Sequence, residues 1–595
     1  MPFSWLTHPV ELHSWREAPP CELTPEQCAY QSGYWRWWYE ADHRYALPTV
    51  ALLLVAIILF TIANAFVIFA PAKWHQNRLL GRLLSYSRLL SYTSWRCGNW
   101  NTHSLGAYML ASVGFVFFFA MLLGPRPYYW PNTDEVNFGG SPPIATRAGW
   151  MSLACLPFVL ILSTKANPIA TLTGYSHEKL IVWHNWVAWA MFVLALVHTF
   201  PFIVYNIRAG DIVMQWSMGG LWPTGVIALI AQAWLTFMSI RWVRNAYYEF
   251  FKALHFLVAP VFIVFLFLHC DHVLSSWDYF IAAGVLYTLS WLYSQCRVFM
   301  EHGFRHRAEF SLATKETVKI TIKTRALWRP GQHIYVRFLA LGMHSLTAHP
   351  FTICSLPTFD DNNEMVLYVK RHGGLTGRLL KLAVRDATSS IPVLLDGPYG
   401  GLPARWYDGF GVALVVGGGS GIGFALSLAQ HFLETSKSRQ GNPQMILVLS
   451  SRDEGAKQWC IVALEKMVSE QSYYEDGSSL NFRVQIHYTG GDSSDSGHDE
   501  ERKVEGGALK QSKSERNDGE MTEALEITSS TSRPDIHALT AEVASIPGSS
   551  VGLVVCGPSS MAHDMGQSAA LAQRNILAGR AAAREVWYHT ESFSS

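Results

Sequence analysis

The sequence predicts a polytopic α-helical membrane domain of about seven spans, followed by an antiparallel β-barrel and then by an α/β domain with a parallel sheet. Three observations support this prediction. Apolar stretches of bilayer length recur through the first 300 residues. Short segments of alternating polarity, interrupted by Pro and Gly, come next and are typical of antiparallel strands. Continuously apolar strands separated by helical stretches follow, as in a parallel sheet covered on both faces.

The composition agrees with a chain that lies partly in lipid. Of its 595 residues, 50% are hydrophobic and 15% are charged, and the length exceeds that of one ordinary domain. The net charge of +1, without a basic stripe interleaved with aromatic residues, argues against nucleic acid as a partner. The nine cysteines include no CxxC pair, which argues against a zinc finger or ribbon. Cys21 and Cys28 can form a disulfide if their segment faces an oxidising compartment, or remain free thiols.

The membrane spans are predicted from stretches of about 20 residues, the length that an α-helix needs to cross a bilayer. They lie at 47–70, 105–123, 146–164, 180–204, 221–240, 252–270 and 278–296. The third is the weakest, because its uncharged run is short and Pro157 interrupts it. We therefore assign residues 47–300 to a transmembrane domain.

The orientation of the spans follows from the positive charges in their connections, since positive loops stay on the cytoplasmic side. Lys and Arg residues are concentrated after the first, third, fifth and seventh spans, whereas the alternate connections hold only Arg126, Arg147 and Arg208. The bias predicts an extracytoplasmic segment at 1–46 and a cytosolic location after about residue 300.

The cytosolic part divides into two predicted domains, at 301–405 and 406–595. The alternating segments of the antiparallel barrel lie at 318–324, 333–338 and 365–370. The apolar strands of the α/β domain lie at 412–416, 445–450, 482–488 and 551–556. Residues at about 490–532 are rich in Ser, Gly and charged residues, so we expect a disordered insert there with no catalytic part.

Four histidines in the predicted spans suggest a metal-binding function. His184 and His198 lie fourteen positions apart on the fourth span, and His255 and His269 repeat that separation on the sixth. Fourteen helical residues advance by about 21 Å and return to nearly the same face, so each helix presents one imidazole near each side of the bilayer.

The two helices run in the same direction, so that His184 can pair with His255 and His198 with His269. Two stacked b-type haems fit this arrangement, with His184 and His255 on the inner iron and His198 and His269 on the outer iron. For a single histidine, a hydrogen bond between helices is the alternative. The repeated spacing of four costly polar groups favours haem ligation for the set.

A motif of seven residues follows the second barrel segment. The residues are His349, Pro350, Phe351, Thr352, Ile353, Cys354 and Ser355. With an upstream Pro-Gly-Gln, the motif resembles that of the ferredoxin reductase superfamily. The resemblance implies that HPFT contacts the isoalloxazine and ribityl part of FAD, and that Arg371, Gly374 and Thr376 lie near its pyrophosphate. An ordinary turn at a strand end is the alternative.

A glycine-rich loop comes directly after the apolar strand 412–416 and before a predicted helix. Its residues are Gly417, Gly418, Gly419, Ser420 and Gly421. Backbone amides at such a helix start can cradle phosphates. The loop lacks the strict GxGxxG spacing and instead resembles the GGGSG(I/T)G loop of ferredoxin-reductase nucleotide domains. A glycine-rich turn without a ligand is the alternative.

Three further motifs complete the predicted nucleotide site. Ser451 and Arg452 end the next strand, where a cation can pair with the 2′-phosphate that distinguishes NADPH from NADH. By resemblance, a DGPYG segment bridges the flavin and nucleotide domains, with Gly397, Pro398, Tyr399 and Gly400. Also by resemblance, Cys556, Gly557 and Pro558 form the CGP motif that approaches the nicotinamide, with Cys556 in a catalytic role; a buried strand-end thiol is the alternative.

Together, the order of parts and these motifs resemble fungal-type ferric-chelate reductases, a metalloreductase branch of the group that includes NADPH oxidases. The resemblance implies that NADPH reduces FAD and that single electrons pass through two haems to extracytoplasmic ferric chelates, or to Cu(II). It further implies reductive iron uptake, with coupling to an iron-uptake oxidase or permease, at the plasma membrane or the vacuolar membrane.

Two other functions would account for the same sequence features. One is a superoxide-generating NADPH oxidase, which needs the same cofactors. The other is a haem-free membrane transporter or receptor with a degenerate reductase-like domain. The chain also departs from the family at its end, where Ser595 stands in place of the usual terminal Trp of an ExFxW tail. We expect this difference to alter nicotinamide access at the flavin face, unless Phe593 takes the place of the missing ring.

Overall fold

The computed structural model describes residues 24, 25, 28, 41–69, 78–98, 100–134, 140–271, 273–358, 363–385, 390–407, 409–436, 443–469, 481–490 and 526–591. The chain forms two compact units. One comprises residues up to 70 together with 108–296, and the other comprises 71–107 together with 297–594.

The first 300 residues are mainly helical. In chain order the helices are α1 (Leu47–Phe69), α2 (Arg78–Tyr92), α3 (Leu105–Leu123), α4 (Pro143–Leu162), α5 (Pro168–Thr173), α6 (His177–Ala209), α7 (Ile212–Ser217), α8 (Leu221–Met238), α9 (Arg241–Ala246), α10 (Tyr248–Cys270) and α11 (Ser276–Arg297). A π-helical turn, Asp42–Ala46, precedes α1. Two short strands, β1 (Arg96–Cys97) and β2 (Trp100–Asn101), pair between α2 and α3.

Six segments of the described chain are long and apolar enough to cross a membrane, and they confirm six of the predicted spans. They are Asp42–Phe69, Leu105–Leu123, Pro143–Leu162, His177–Ala209, Leu221–Met238 and Phe250–Cys270. The seventh predicted span is a helix, α11, but it falls short of the others in apolarity. The reason is its content of Ser, Tyr and Trp residues together with Asp278 near its start.

Helix α4 is the most buried of the six candidate spans. It packs along α6, and the Ser152 hydroxyl donates to the Met191 carbonyl oxygen at 2.9 Å. Small residues such as Ala148 and Ala154, both fully buried, allow this close approach between helices. Helix α4 is thus central in the membrane unit, and this position accounts for its short uncharged run.

An antiparallel sheet of six strands follows the helices. Its strands are β3 (Arg307–Leu312), β4 (Thr317–Lys323), β5 (Gln332–Phe338), β6 (His349–Thr352), β7 (Glu364–Lys370) and β8 (Ser390–Gly400), in the order β6-β5-β8-β3-β4-β7. The Cys354 amide, just after β6, donates to the Val366 carbonyl oxygen of β7 at 2.8 Å. Since β6 and β7 are the two edges, this bond closes the sheet into the expected barrel. Helix α12 (Gly374–Arg385) packs against its core.

The last domain is a parallel sheet with helices on both faces. Its elements are α13 (Ala404–Tyr407), β9 (Val412–Gly418), α14 (Ile422–Ser436), β10 (Gln444–Ser451), α15 (Glu454–Ser469), β11 (Asn481–Tyr488), β12 (Glu526–Ser530), α16 (Ile536–Ala544), β13 (Ser550–Cys556), α17 (Ser559–Leu577) and β14 (Glu585–Glu591). The strand order is β12-β11-β10-β9-β13-β14. The order reverses at β9, whose neighbours are β10 and β13, and ligands of such sheets bind beside the carboxyl ends at that point.

The insert in this domain is shorter than predicted. Residues 526–530, which we expected to be disordered, form β12 and pair in parallel with β11. The reason is that Ile527 packs against the apolar core and β11 offers an edge for backbone pairing. Residues 491–525 lie outside the described residues.

Two other sequence-based predictions fall partly or wholly outside the described residues. Cys28 is half of a disulfide bond, whereas Cys21 is not among the described residues. Ser595 and the three residues before it also lie outside them. Their effect on the flavin face stays a prediction.

Candidate functional site

The structure brings the four membrane histidines together in the two expected pairs. The ring centroids of His184 and His255 are 6.5 Å apart. Those of His198 and His269 are 5.9 Å apart. Both pairs face each other between α6 and α10, and each separation leaves room for one iron between the rings.

Backbone carbonyls orient three of the four rings. Nδ1 of His184 donates to the Val159 carbonyl oxygen at 2.7 Å. Nδ1 of His198 donates to Ala145 at 2.8 Å, and Nδ1 of His269 donates to Leu221 at 2.8 Å. A carbonyl on Nδ1 sets the tautomer that leaves Nε2 as the metal-binding atom. The imidazoles are thus presented as ligands of a metal would be.

Two glycines make this approach possible, and sequence reasoning missed both. A β-carbon on Gly149 of α4 would lie 2.6 Å from Nδ1 of His198, and one on Gly225 of α8 would lie 2.7 Å from Nδ1 of His269. Any side chain at either position would therefore displace the ring. A glycine inside an apolar helix was the only sequence signal for this role.

A buried cation accompanies the outer histidine pair. Arg147 is fully buried on α4, two residues after Ala145, and its Nε donates to the Leu122 carbonyl oxygen at 2.8 Å. Tyr45 and Tyr128 lie beside the guanidinium, but its Nη1 and Nη2 make no close hydrogen bond in the part of the chain that the structure describes. Buried guanidinium donors of this kind fit an anionic group. Haem carries two propionate carboxylates, so Arg147 and the histidine pairs together fit haem.

The predicted flavin motif occupies strand β6 and the residues after it. His349, Phe351 and Thr352 are half-buried, and Pro350 is exposed. Ile353 and Cys354 are buried in the barrel. The Ser355 hydroxyl accepts from the Val366 amide at 3.1 Å and donates to the Glu364 carbonyl oxygen at 2.9 Å. The last three residues of the motif therefore hold the strand in place, while HPFT keeps surface for a ligand.

The residues predicted to lie near the FAD pyrophosphate gather at the start of α12. Gly373 and Gly374 have φ angles of +117° and +47°, which favour glycine. The Thr376 hydroxyl accepts from the His372 amide at 2.9 Å and donates to the Gly373 carbonyl oxygen at 2.8 Å, so it fixes the turn. Arg371 is exposed beside this turn. An open glycine turn at a helix start suits a phosphate group.

The glycine loop after β9 brings three of the predicted motifs into contact. A β-carbon on Gly421 would lie 2.1 Å from the Cys556 carbonyl oxygen, and one on Gly418 would lie 2.9 Å from Cδ of Pro558. On the other side, a β-carbon on Gly423 would lie 2.4 Å from Sγ of Cys354. These motifs therefore meet at the carboxyl end of β9, where the strand order reverses.

Two buried thiols flank this loop, and both are protonated at neutral pH. Burial, reinforced by the charge of Glu591, raises the pKa of Cys556 well above its ordinary value. Burial likewise raises the pKa of Cys354 to about 12. A neutral thiol is a poor nucleophile, so Cys556 is suited to contact a ligand and not to attack it.

The DGPYG segment is held by two side chains that sequence reasoning missed. The Gly397 carbonyl oxygen accepts from Nη2 of Arg297 at 2.7 Å and from Nε2 of His302 at 2.8 Å. The Arg297 guanidinium also lies 5.3 Å from the ring centre of Tyr399. The Tyr399 hydroxyl donates to Oδ1 of Asp396 at 2.5 Å. No sequence pattern linked these residues, because they are about a hundred positions apart.

A shallow depression lies at the carboxyl ends of β10 and β11. Its polar lining residues are Ser451, Asp453, Lys457, His487 and Tyr488. The predicted Ser451 is therefore part of it, while Arg452 is exposed and is not among its lining residues. Lys457, which the sequence did not single out, supplies a cation from the first turn of α15.

Three family models match consecutive parts of the chain. They are a ferric reductase-like transmembrane component over residues 148–266, an FAD-binding domain over 303–402 and a ferric reductase NAD-binding domain over 410–570. Fold and matches define a chain with a helical transmembrane component, an FAD-binding domain and a nicotinamide-nucleotide domain. These matches confirm the resemblance to ferric reductases drawn from the motifs of the chain.

Several curated relatives agree with this assignment. The chain is 29% identical over 365 residues to a probable cell surface ferric reductase of Aspergillus oryzae, covering 58% of this chain and 48% of the relative. It is 27% identical to ferric/cupric reductase transmembrane component 7 of Saccharomyces cerevisiae, covering 60% and 57%. It is 24% identical to ferric reductase transmembrane component 4 of the same yeast, covering 73% and 60%. The chain thus spans about half the length of the first of these relatives and somewhat more of the others.

Proposed function

We propose that the protein is a transmembrane ferric-chelate reductase that takes electrons from cytosolic NADPH and delivers them to Fe(III) on the opposite side, with Cu(II) as a second acceptor. FAD and two bis-histidine b-type haems are its cofactors. The observation that carries the proposal is the pair of facing histidine sets, His184 with His255 and His198 with His269, inside the membrane unit. Two such sites in line form a conduit across a bilayer.

The cofactors supply the hydride and one-electron chemistry, and the chain supplies their positions. HPFT and the start of α12 hold the flavin. Gly421 and Cys556 shape the nicotinamide side of the nucleotide site, and Ser451 with Lys457 receives the 2′-phosphate. Each histidine pair would hold one haem iron through two imidazoles, and such a site would have no position for a further ligand, which suits electron relay.

The orientation is supported by a count of membrane crossings. Residues 71–107 and 297–594 belong to one compact unit, so the chain between them must return to the same side of the bilayer. That return requires an even number of crossings. Five of the apolar segments lie between residues 107 and 297. We therefore assign α11 as the sixth crossing there, which with α1 gives seven.

Ferric chelates are the proposed acceptor because the named relatives are ferric or ferric/cupric reductases. We propose the plasma membrane as the location, since the Aspergillus oryzae relative is described as a cell surface protein. In that location the ferrous product serves an iron-uptake oxidase or permease.

Purified protein in sealed vesicles tests the proposal. NADPH supplied on the nucleotide-domain side should produce ferrous iron from ferric citrate on the other side, measured with a ferrous-specific chelator. The rate should not change when superoxide dismutase is added. Superoxide formation with loss of the ferrous signal under dismutase would instead indicate an NADPH oxidase.

An optical spectrum separates the conduit from a haem-free transporter or receptor. The purified protein should show a reduced b-type Soret and α band, with two haems for each FAD. A protein that binds FAD but shows neither band contradicts the conduit.

A further inference from the structure

Helix α2 lies in chain order between two candidate membrane-spanning helices, and a backbone hydrogen bond ties its C-terminal end to the second of them. Span α1 stops at Phe69, eight residues before α2, and span α3 begins at Leu105. The Leu105 amide donates to the Thr93 carbonyl oxygen at 2.8 Å. The hairpin of β1 and β2 therefore folds back, and the C-terminal end of α2 is tied to the first residue of α3.

One face of α2 packs on the nucleotide domain. Nη2 of Arg88 lies 2.8 Å from Oε1 of Glu585, and the Tyr588 amide donates to the Tyr92 hydroxyl at 3.0 Å. The segment after α2 continues the contact, because Nδ2 of Asn101 donates to the Ser559 carbonyl oxygen at 2.6 Å. Ser559 directly follows the CGP motif. The segment 78–102 is thus bonded to the part of the nucleotide domain next to the nicotinamide site.

The opposite face of α2 is apolar and exposed. Leu79, Leu83 and Tyr86 are 73%, 66% and 56% exposed. Their spacing of four and then three residues places them in one stripe along the helix. At 100° per residue, Leu79 and Arg88 point in opposite directions, about 180° apart. The helix therefore packs one face on the nucleotide domain and has an exposed apolar face on the opposite side.

Charge and aromatic residues indicate what covers that second face. Residues 78–103 contain no Asp or Glu but include Arg78, Arg82 and Arg96. Trp95 and Trp100 are exposed just beyond the helix. An apolar stripe flanked by arginine residues, with tryptophans close to the end of the helix, is typical of helices that lie in the headgroup region of a bilayer.

We propose that α2 is an interfacial helix that inserts Leu79, Leu83 and Tyr86 into the bilayer leaflet on the side of the nucleotide domain, with Arg82 next to anionic headgroups. Through Arg88 and Tyr92, the same helix fastens the nucleotide domain to that surface. The ligand is the lipid bilayer itself, and this inference does not depend on which electron acceptor the protein uses.

Photo-crosslinking in the full-length protein tests the proposal. A photoreactive benzoyl-phenylalanine replaces Leu83 in protein reconstituted in vesicles of phosphatidylcholine and phosphatidylserine. After irradiation, mass spectrometry should find phospholipid adducts at this position. Phe115, exposed on span α3, is the positive control, and Val462, exposed on α15, is the negative control.

Adducts at Phe115 but not at Leu83 would overturn the proposal. So would a protein adduct at Leu83 in place of lipid, since that would identify a second copy or another protein as the occupant. Equal lipid labelling at Val462 would also overturn it, because exposure alone would then account for the adducts.

The role of Arg82 has its own measurement. With Arg82→Gln, the yield of lipid adducts at Leu83 should fall by about fivefold in phosphatidylserine vesicles. A change of this size corresponds to the attraction of one cation to an anionic membrane surface. In vesicles of phosphatidylcholine alone the substitution should have no effect. An unchanged yield in phosphatidylserine vesicles excludes headgroup recognition by Arg82.

Discussion

Gly225 on α8 and His269 on α10 are in such close contact that a β-carbon on Gly225 would lie 2.7 Å from Nδ1 of the histidine. The histidine ring also donates to the Leu221 carbonyl oxygen, one turn before that glycine. The His269 ring is therefore tightly packed against helix α8. The position of the His269 ring, and of the outer iron site that we propose there, depends on a residue with no side chain.

Gly225→Ala should weaken haem binding at the outer site. Forcing one extra carbon into a packed site costs about 1–3 kcal/mol, or roughly 5- to 150-fold in affinity. The measurement is the haem-to-FAD ratio of the purified protein. Gly284→Ala on α11 is the matched control, because no atom lies within 4 Å of its β-carbon. An unchanged ratio in Gly225→Ala would show that the ring can shift without loss of the haem.

His198→Ala should remove the outer haem and leave the cytosolic half intact. We expect one haem per FAD instead of two, loss of ferric reduction, and unchanged anaerobic reduction of the flavin by NADPH, followed by absorbance. His177→Ala, at the start of the same helix, serves as the control with both haems retained. If the substituted protein kept two haems, His198 would not be a ligand.

Lys457→Ala should lower the preference for NADPH over NADH. Hydrogen bonds to charged groups contribute about 1.5–3 kcal/mol, so KM for NADPH should rise roughly 10- to 150-fold while kcat and the kinetics with NADH stay the same. The neighbouring Gln458→Ala, which does not line the depression, is the control. A parallel rise of KM for both nucleotides would place Lys457 outside the 2′-phosphate site.

Glu585 should make the nucleotide domain sensitive to acid. Burial alone would raise the pKa of this carboxyl, but hydrogen bonds and charges from Arg405 and Arg88 lower it from 4.5 to about 2. Because the pKa is lower in the folded state, the stabilisation is present above pH 4.5 and is lost as the pH falls toward 2. Its size is about 3 kcal/mol at neutral pH.

Glu585→Gln should therefore lower the thermal midpoint at pH 7, with a difference from the unmodified protein that shrinks below pH 4.5. Glu542→Gln is the control, since Glu542 forms an exposed ion pair with Arg483, and such pairs contribute less than about 1 kcal/mol. A difference between Glu585→Gln and the unmodified protein that stayed constant down to pH 3 would mean that lost packing, and not charge, accounts for it.

Much of the fold could be predicted because its signals are local. The apolar strands at 412–416 and 551–556 appear as β9 and β13 with at most two residues added. The membrane histidines could be paired correctly because helical geometry converts equal spacing into equal depth. Strand β12 was missed, since pairing with β11 stabilises it more than its own composition does.

The sequence by itself determined the order of the domains, the helices that carry the histidines, and the motifs for the flavin and the nucleotide, because each depends on residues close together in the chain. Only the tertiary structure decided that Gly225 faces His269, that Arg297 holds Gly397, and that Arg88 reaches Glu585, nearly five hundred residues away. Such contacts arise when separate elements pack, and packing depends on the shapes of whole surfaces, which no local pattern encodes.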